Sequence, residues 1–259
     1  MKSKSPLKNR PLRLPGQSLD DEIKLLVEDK VIIYLIVPLI FIFITIWNWF
    51  LYYKIIKITN PALITVITIG VVIYSIFKLI KIRRRIKSMK LGRDGERAVG
   101  QFLDSLKSKG YKIFHDIIGD GFNLDHVIVC EHGVFCIETK TFSKPDKGQC
   151  KIIVTEEGIS VNGRKPDKKI MVQARAQKSW LEKQIFLLTG MAITVKPVVV
   201  FPGWFVERIL EDNQIWFLEP KALPSFIGNS RKIFEEQQIK LISNHLSRFI
   251  RSKYDYKPL

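Results

Sequence analysis

Twenty-three consecutive residues, Val31 to Tyr53 (VIIYLIVPLIFIFITIWNWFLYY), carry no charge. Backbone N–H and C=O groups in hydrocarbon must find partners within the segment, so an uncharged run above about 18 residues reads as a transmembrane helix. Pro38 is tolerated in such a helix, and Trp47, Trp49, Tyr52 and Tyr53 make an aromatic belt at its exit. A second uncharged run, Ile58 to Phe77, has Pro61 near its start and Gly70 inside it. Only Lys54–Lys57 lies between the two, which predicts a tight helical hairpin. The alternative is a buried hairpin of soluble helices, and two such runs back to back weigh against it.

Charge sets the orientation. Residues 1–30 hold seven Lys and Arg, residues 78–90 hold seven more, and the short connection holds two. The positive-inside rule then puts both ends, and everything after residue 90, on the cytoplasmic side of the cell membrane. Roughly thirty polar residues precede the first run, which does not fit a cleaved signal peptide. The formal net charge of +17 is therefore uneven, since residues 1–90 contribute 16 basic and 5 acidic side chains. Such a charge suits two polyanions, nucleic acid and an anionic membrane face. The basic stretch 78–90 can lie on anionic headgroups as a topology anchor or contact nucleic acid, and the first reading is the simpler. A hydrophobic fraction of 46% excludes a disordered tail, and three cysteines exclude a disulfide scaffold.

The expected organisation is a cytoplasmic segment 1–30, a transmembrane hairpin 31–77, a basic juxtamembrane linker 78–90, and an α/β domain 91–259. In that domain, Ala98, Val99, Phe102, Leu103 and Leu106 share one face of a helix over 91–109 that Gly110 stops. Strands are predicted over 111–118, 124–130, 134–141, 150–155, 159–161, 195–201 and 215–218. A long helix is predicted from Pro166 to near Gly190, and a terminal helix capped by Ser230 from Arg231 to about Lys253.

Three charges interrupt the most apolar hairpin, residues 123–141: Asp125, Glu138 and Lys140. Strand side chains alternate, so Glu138 and Lys140 share a face while Thr139 points away. A two-residue turn at His132-Gly133 pairs Glu131 with Val134 and sets Asp125 opposite Lys140, on that same face. Charges at the end of a buried strand pair are costly unless something uses them. Two close carboxylates repel, and a hard divalent cation such as Mg²⁺ removes that cost while accepting phosphate oxygens. A neighbouring lysine can then hold the phosphate or the attacking water, which is the chemistry of metal-assisted phosphodiester hydrolysis. Spacing alone leaves a buried salt bridge between Lys140 and Glu138 or Asp125 as an equal alternative.

Asp125 followed by Glu138-Thr139-Lys140 resembles the D…(D/E)-x-K signature of the PD-(D/E)xK nuclease superfamily. More closely, the GRDGER segment at 92–97, the NLDHV segment at 123–127, the IETK segment and Gln173 resemble the nuclease-related domain (NERD) family over roughly 91 to 201. The resemblance implies a restriction-endonuclease-like αβββαβ core with a C-terminal helix, here preceded by two transmembrane helices. It implies Asp125, Glu138 and the Thr139 carbonyl as ligands of Mg²⁺ or Mn²⁺, and Lys140 as the catalytic lysine. Glu96 would join the metal or its water shell, and Gln173 would be the polar residue sent from the second helix. Leu124 stands where the superfamily name has proline. The implied protein is a membrane-anchored, metal-dependent nuclease acting on DNA or RNA; its oligomeric state is left open, a homodimer being one option because many nucleases of this superfamily pair to cut both strands. The alternative is a non-catalytic membrane protein whose domain binds nucleic acid or a protein partner.

Other residues point elsewhere. His126 faces away from Asp125, which suits a structural role or positioning on the substrate side, and His115, His132 and His245 lack metal-ligand spacing. Cys130, Cys136 and Cys150 read as small hydrophobes. GRDGE lacks the Lys and Ser or Thr of a phosphate loop. Arg164, Lys165, Lys168 and Lys169 are either a solvated loop or a track for a phosphate backbone. Trp180 and Trp204 read as packing aromatics.

Overall fold

The computed structural model describes residues 12–54, 60–145, 150–210 and 213–254. The chain divides into two compact units, one formed by the described residues of Met1–Ser18 and Leu91–Leu259, the other by Leu19–Lys90.

Helix α1 (Gln17–Leu26) starts two residues before the Leu19–Lys90 unit; within that unit it continues through a π-helical turn, Val27–Val31, into helix α2 (Ile32–Lys54), and helix α3 begins at Ala62. Among the described residues, two helices are long and apolar enough to cross a membrane. Phe43 and Leu63 are among many large apolar side chains left exposed. Small and polar groups join α2 to α3: the Thr45 and Thr68 hydroxyls lie 2.6 Å apart, and Trp49 Nε1 donates to Thr65 Oγ1 at 3.0 Å. Helices that meet in an apolar medium rely on such contacts, because burying hydrocarbon there gains nothing. The expected connection at Lys54–Lys57, and the first two residues of the second apolar run, lie mostly outside the described residues.

Helix α3 runs without a break from Ala62 to Asp104. Residues 78–90 are therefore helical, whereas the sequence reading made them a linker with a new helix at Leu91. No proline and no glycine stands between Gly70 and Gly92, and the Lys, Arg, Leu and Ile there are good helix formers, so nothing ends the helix.

The remaining elements are strands β1 (Lys112–Ile118), β2 (Asn123–Cys130), β3 (Gly133–Thr139), β4 (Lys151–Thr155) and β5 (Gly158–Val161), helix α4 (Lys169–Thr189), strands β6 (Val195–Val200), β7 (Phe205–Arg208) and β8 (Trp216–Leu218), and helices α5 (Leu223–Gly228) and α6 (Glu236–Tyr254). The main sheet has the order β1-β2-β3-β6-β8, antiparallel through β3 and parallel beyond, and β5-β4-β7 form a smaller sheet. With α4 as the crossover from β3 to parallel β6, the core has the expected αβββαβ order. On one face, Val99, Leu103 and Leu106 pack on Ile128, Phe135 and Ile137; Ala98, expected on that stripe, is exposed. On the other, Leu181 and Ile185 of α4 and Ile242, Leu246 and Ile250 of α6 pack on Val127, Val129 and Cys136. Both helix layers thus exclude water from the sheet, which is why its strands read as continuous apolar runs.

Three local expectations change. The β2–β3 turn is Glu131-His132, with Cys130 paired to Gly133, so the register differs by two residues from the expected one. Gly133 has φ of 131°, a conformation that favours glycine, and so serves as the first residue of β3. The even shift keeps Asp125 on its expected side and brings it beside Glu138 rather than Lys140. The terminal helix starts at Glu236: Ser230 Oγ donates to the Phe226 carbonyl and finishes α5, while the N–H groups of Ile233 and Phe234 donate to the Glu131 carbonyl. Helix α4 starts three residues after Pro166, because Asp167 bridges to Ile159. Strand β7 went unforeseen, since four partly exposed residues show no alternation.

Leu103 has no exposed surface. Leu103→Ala should destabilise the domain by about 2–5 kcal/mol, read as a lower thermal midpoint, whereas Ala98→Ser should change stability by roughly 0.5 kcal/mol or less.

Candidate active site

The apolar sheet ends in a concentration of polar groups. Glu138, 3% exposed, sits near the end of β3 and is held from two directions. Lys140 Nζ lies 2.5 Å from its Oε1. Gln173 bridges the same pair, donating Nε2 to Glu138 Oε1 at 2.8 Å and accepting from Lys140 Nζ at 3.0 Å. One helical turn further along α4, Gln177 donates to Glu138 Oε2 at 2.5 Å and to the Asn123 carbonyl at 3.1 Å. Asp125 comes from β2, and its Oδ2 accepts the Thr139 N–H at 2.7 Å. Glu96 arrives from α3, in the helix layer on the opposite face of the sheet, close enough to feel the charges of Glu138, Lys140 and Asp116.

Glycine shapes that approach. Gly95 sits where a Cβ would overlap the Thr141 side chain, directly after Lys140. The GRDGE segment is thus a close-packing device, consistent with its lack of a phosphate-loop signature.

These carboxylates strain against one another. Burial first, then the charges of Asp116 and Glu138, push Glu96 up to about 8 against the pull of Lys140. Asp125 is likewise held well above the usual carboxylate range, by burial and by the charges of Glu138 and Glu96, with the Thr139 N–H and Lys140 opposing. A set of hard oxygen donors that resist ionising together is what a divalent cation relieves. Among the described residues no three acidic, histidine or cysteine side chains gather closely enough to hold a metal by themselves. A cation would accordingly take the Asp125 and Glu138 carboxylates with the Thr139 carbonyl and complete its shell with water, the habit of Mg²⁺.

Residues 91–202 match the family model of the nuclease-related domain, NERD. That stretch of the chain is similar to nuclease-related domains. An uncharacterized protein of Bacillus anthracis is 33% identical over 73 residues, 26% of this chain and 34% of the relative. The aligned part of the chain therefore spans about a third of that curated relative's length. No solved structure matches the chain significantly.

Glu96, Asp125, Glu138, Thr139, Lys140 and Gln173 all lie within the matched stretch, and the fold brings them together. Three residues outside the sequence expectation join them. Gln177 repeats Gln173 at helical spacing, a signal readable in the sequence. Asp116 interrupts an apolar strand as Asp125 does, and was readable too. Arg13 pairs with Asp116 at 2.6 Å across 103 residues, with no local sign of it. The histidines form a separate network: His115 and His126 meet through their Nδ1 atoms at 2.8 Å, and His115 Nε2 contacts Asp104 at 2.9 Å. Both are buried, and burial lowers the pKa of each, so a neutral structural pair fits them. Cys130 and Cys136 are buried, Trp204 belongs to the core and Trp180 packs on Phe122. Arg164, Lys165 and Lys168 ahead of α4, and Lys169 at its first position, are exposed. A cavity of about 660 Å³ beside Trp204, Phe205, Trp216 and Phe226 is lined by none of the expected site residues.

Because Glu96 titrates near 8 in the folded protein and near 4.5 otherwise, folding takes up a proton between those values. Its contribution is complete at low pH and lost as pH rises through about 8, and Asp125 acts in the same direction. In EDTA the thermal midpoint should fall from about pH 5 to about pH 8. Glu96→Gln should flatten that slope, and Mg²⁺ should oppose it by favouring the ionised carboxylates.

Proposed function

We propose that the chain is a membrane-anchored, metal-dependent nuclease hydrolysing phosphodiester bonds in DNA or RNA. The observation that carries this reading is the meeting of Asp125, Glu138 and Lys140, with Gln173 bridging the last two, inside a stretch similar to nuclease-related domains.

Each side chain then has a task. Asp125 and Glu138, with the Thr139 carbonyl, hold Mg²⁺ or Mn²⁺, which when bound supplies charge stabilisation and an activated water. Lys140 presents a cation to the attacking oxygen or the phosphate. Gln173 and Gln177 keep the Glu138 carboxylate from turning away. Glu96 takes up or releases a proton beside the water shell. The two apolar helices tether the domain to the cell membrane, with both termini and the catalytic centre on the cytoplasmic side.

A second reading draws on the 2.5 Å Lys140–Glu138 contact, which with its glutamines also describes a closed ion-pair network in a domain that binds nucleic acid or a protein without cutting it. Detergent-purified full-length protein, incubated with DNA and RNA in Mg²⁺, Mn²⁺ or EDTA, separates the two. Cleavage should require metal and fall by roughly 10²-fold or more in Asp125→Asn and in Lys140→Ala. Metal-independent cleavage, or activity surviving both substitutions, refutes the nuclease assignment; no cleavage with retained binding supports the second reading. A single cysteine placed at Asn60 should be shielded from a membrane-impermeant reagent applied to the cytoplasmic face; labelling there would contradict the orientation.

A further inference from the structure

Residues 12–18 belong to the same compact unit as the stretch similar to nuclease-related domains, although they lie outside that matched segment. Leu12 packs against the core that holds Phe114 and Ile117. Pro15 covers Gly100, where a Cβ would collide with it. Between them, Arg13 Nε and Nη2 each lie 2.6 Å from Asp116 Oδ2, and the two side chains are each 3% exposed. The Ser18 N–H donates to the same oxygen at 2.8 Å, and Arg13 also donates to Ser18 Oγ at 2.9 Å.

Asp116 itself is unusual. Its φ is 50°, in the left-handed region that side-chain-bearing residues seldom occupy. The β1–β2 ladder pairs His115 with His126 and Ile117 with Leu124, and it skips the position between them. The two residues left out are Asp116 and Asp125. The kink takes both residues out of the ladder: the Asp116 carboxylate meets Arg13, and the Asp125 carboxylate accepts the Thr139 N–H. A strained conformation persists only where its surroundings impose it, and the fork of Arg13 with the Ser18 amide is what imposes it here. Without that fork, a buried unpaired carboxylate favours relaxation toward extended backbone, which restores the missing pair and moves Asp125.

We propose that Arg13 is a positioning residue of the carboxylate centre, acting through Asp116 to fix where β2 presents Asp125. The N-terminal arm is on this view a built-in part of the site. The proposal deepens the metal-dependent nuclease reading and rests on it for what Asp125 binds.

The test uses full-length protein in detergent, as wild type, Arg13→Met, Arg13→Lys, Asp116→Asn and the double variant R13M/D116N. Two properties are measured well below the unfolding temperature: hydrogen exchange of the Thr139 amide, and the Mn²⁺ dissociation constant by calorimetry. Arg13→Met should speed Thr139 exchange and weaken Mn²⁺ binding, each by about 10-fold, the scale of losing support behind a metal ligand. Exchange at Ile137, deeper in the strand, should not change. Arg13→Lys, which keeps the charge without the fork, should fall between, and gives a reading if Arg13→Met does not fold. Asp116→Asn should itself disturb both properties, and adding Arg13→Met to it should change neither by more than about twofold, because Arg13 acts only through Asp116. A lower thermal midpoint with unchanged Thr139 exchange would overturn the proposal, as would an Arg13→Met effect of full size in the Asp116→Asn background. Wild-type protein that binds no Mn²⁺ would sink the metal reading alone, and the Thr139 exchange comparison would still decide the role of Arg13.

Discussion

Like charge crowded at the end of an apolar sheet is the constraint around which this domain is arranged. Glu96, Asp116, Asp125 and Glu138 come together at the end of a sheet whose other positions are almost wholly apolar. Carboxylates in such a place must lose their charge, pair with cations or share a bound ion. The first two remedies are seen here: Glu96 and Asp125 are pushed toward the neutral form, and Glu138 and Asp116 have Lys140 and Arg13. The third belongs to the proposed metal-dependent reading. The glutamines of α4 add hydrogen bonds that fix orientation without adding charge.

The fold delivers these groups from separate elements, and each arrives for an ordinary packing reason. Helix α3 lies on the sheet through Val99 and Leu103, and the same stripe one turn earlier carries Glu96 over the end of the sheet. Helix α4 must cross from β3 to parallel β6, so its first turns pass directly over the end of β3. Met171, Ala174 and Leu181 bury its apolar side while Gln173 and Gln177 meet Glu138. The centre is thus assembled by two helix layers closing on one strand end, with the irregular step at Asp116 and Asp125 as the local adjustment.

Much of this was legible in the residues. Asp125, Glu138 and Lys140 stood out as charges in an apolar hairpin, and their shared side follows from strand alternation. That reading survived a turn placed one residue late, because moving the turn from His132-Gly133 to Glu131-His132 alters the register by two and preserves which residues share a side. Helix starts were less legible. Ser230 resembles a cap, yet its hydroxyl finishes the preceding helix, and Pro166 resembles a helix start, yet Asp167 is held in a bridge. Those outcomes turn on partners distant in the chain, on which local propensity is silent.

The sequence by itself determined the periodicities: two uncharged runs of membrane-spanning length, alternating strands, and the acidic and basic residues that break them. These properties depend only on near neighbours along the chain, through helix pitch, strand pleat and the cost of burying charge. Only the tertiary structure decided which charges meet. Arg13 and Asp116 lie 103 residues apart and become partners because the N-terminal arm packs on β1. Whether a buried carboxylate finds a cation, a proton or another carboxylate depends on such long-range placement. For that reason the chemistry of this site belongs to the fold, while its ingredients were already visible in the sequence.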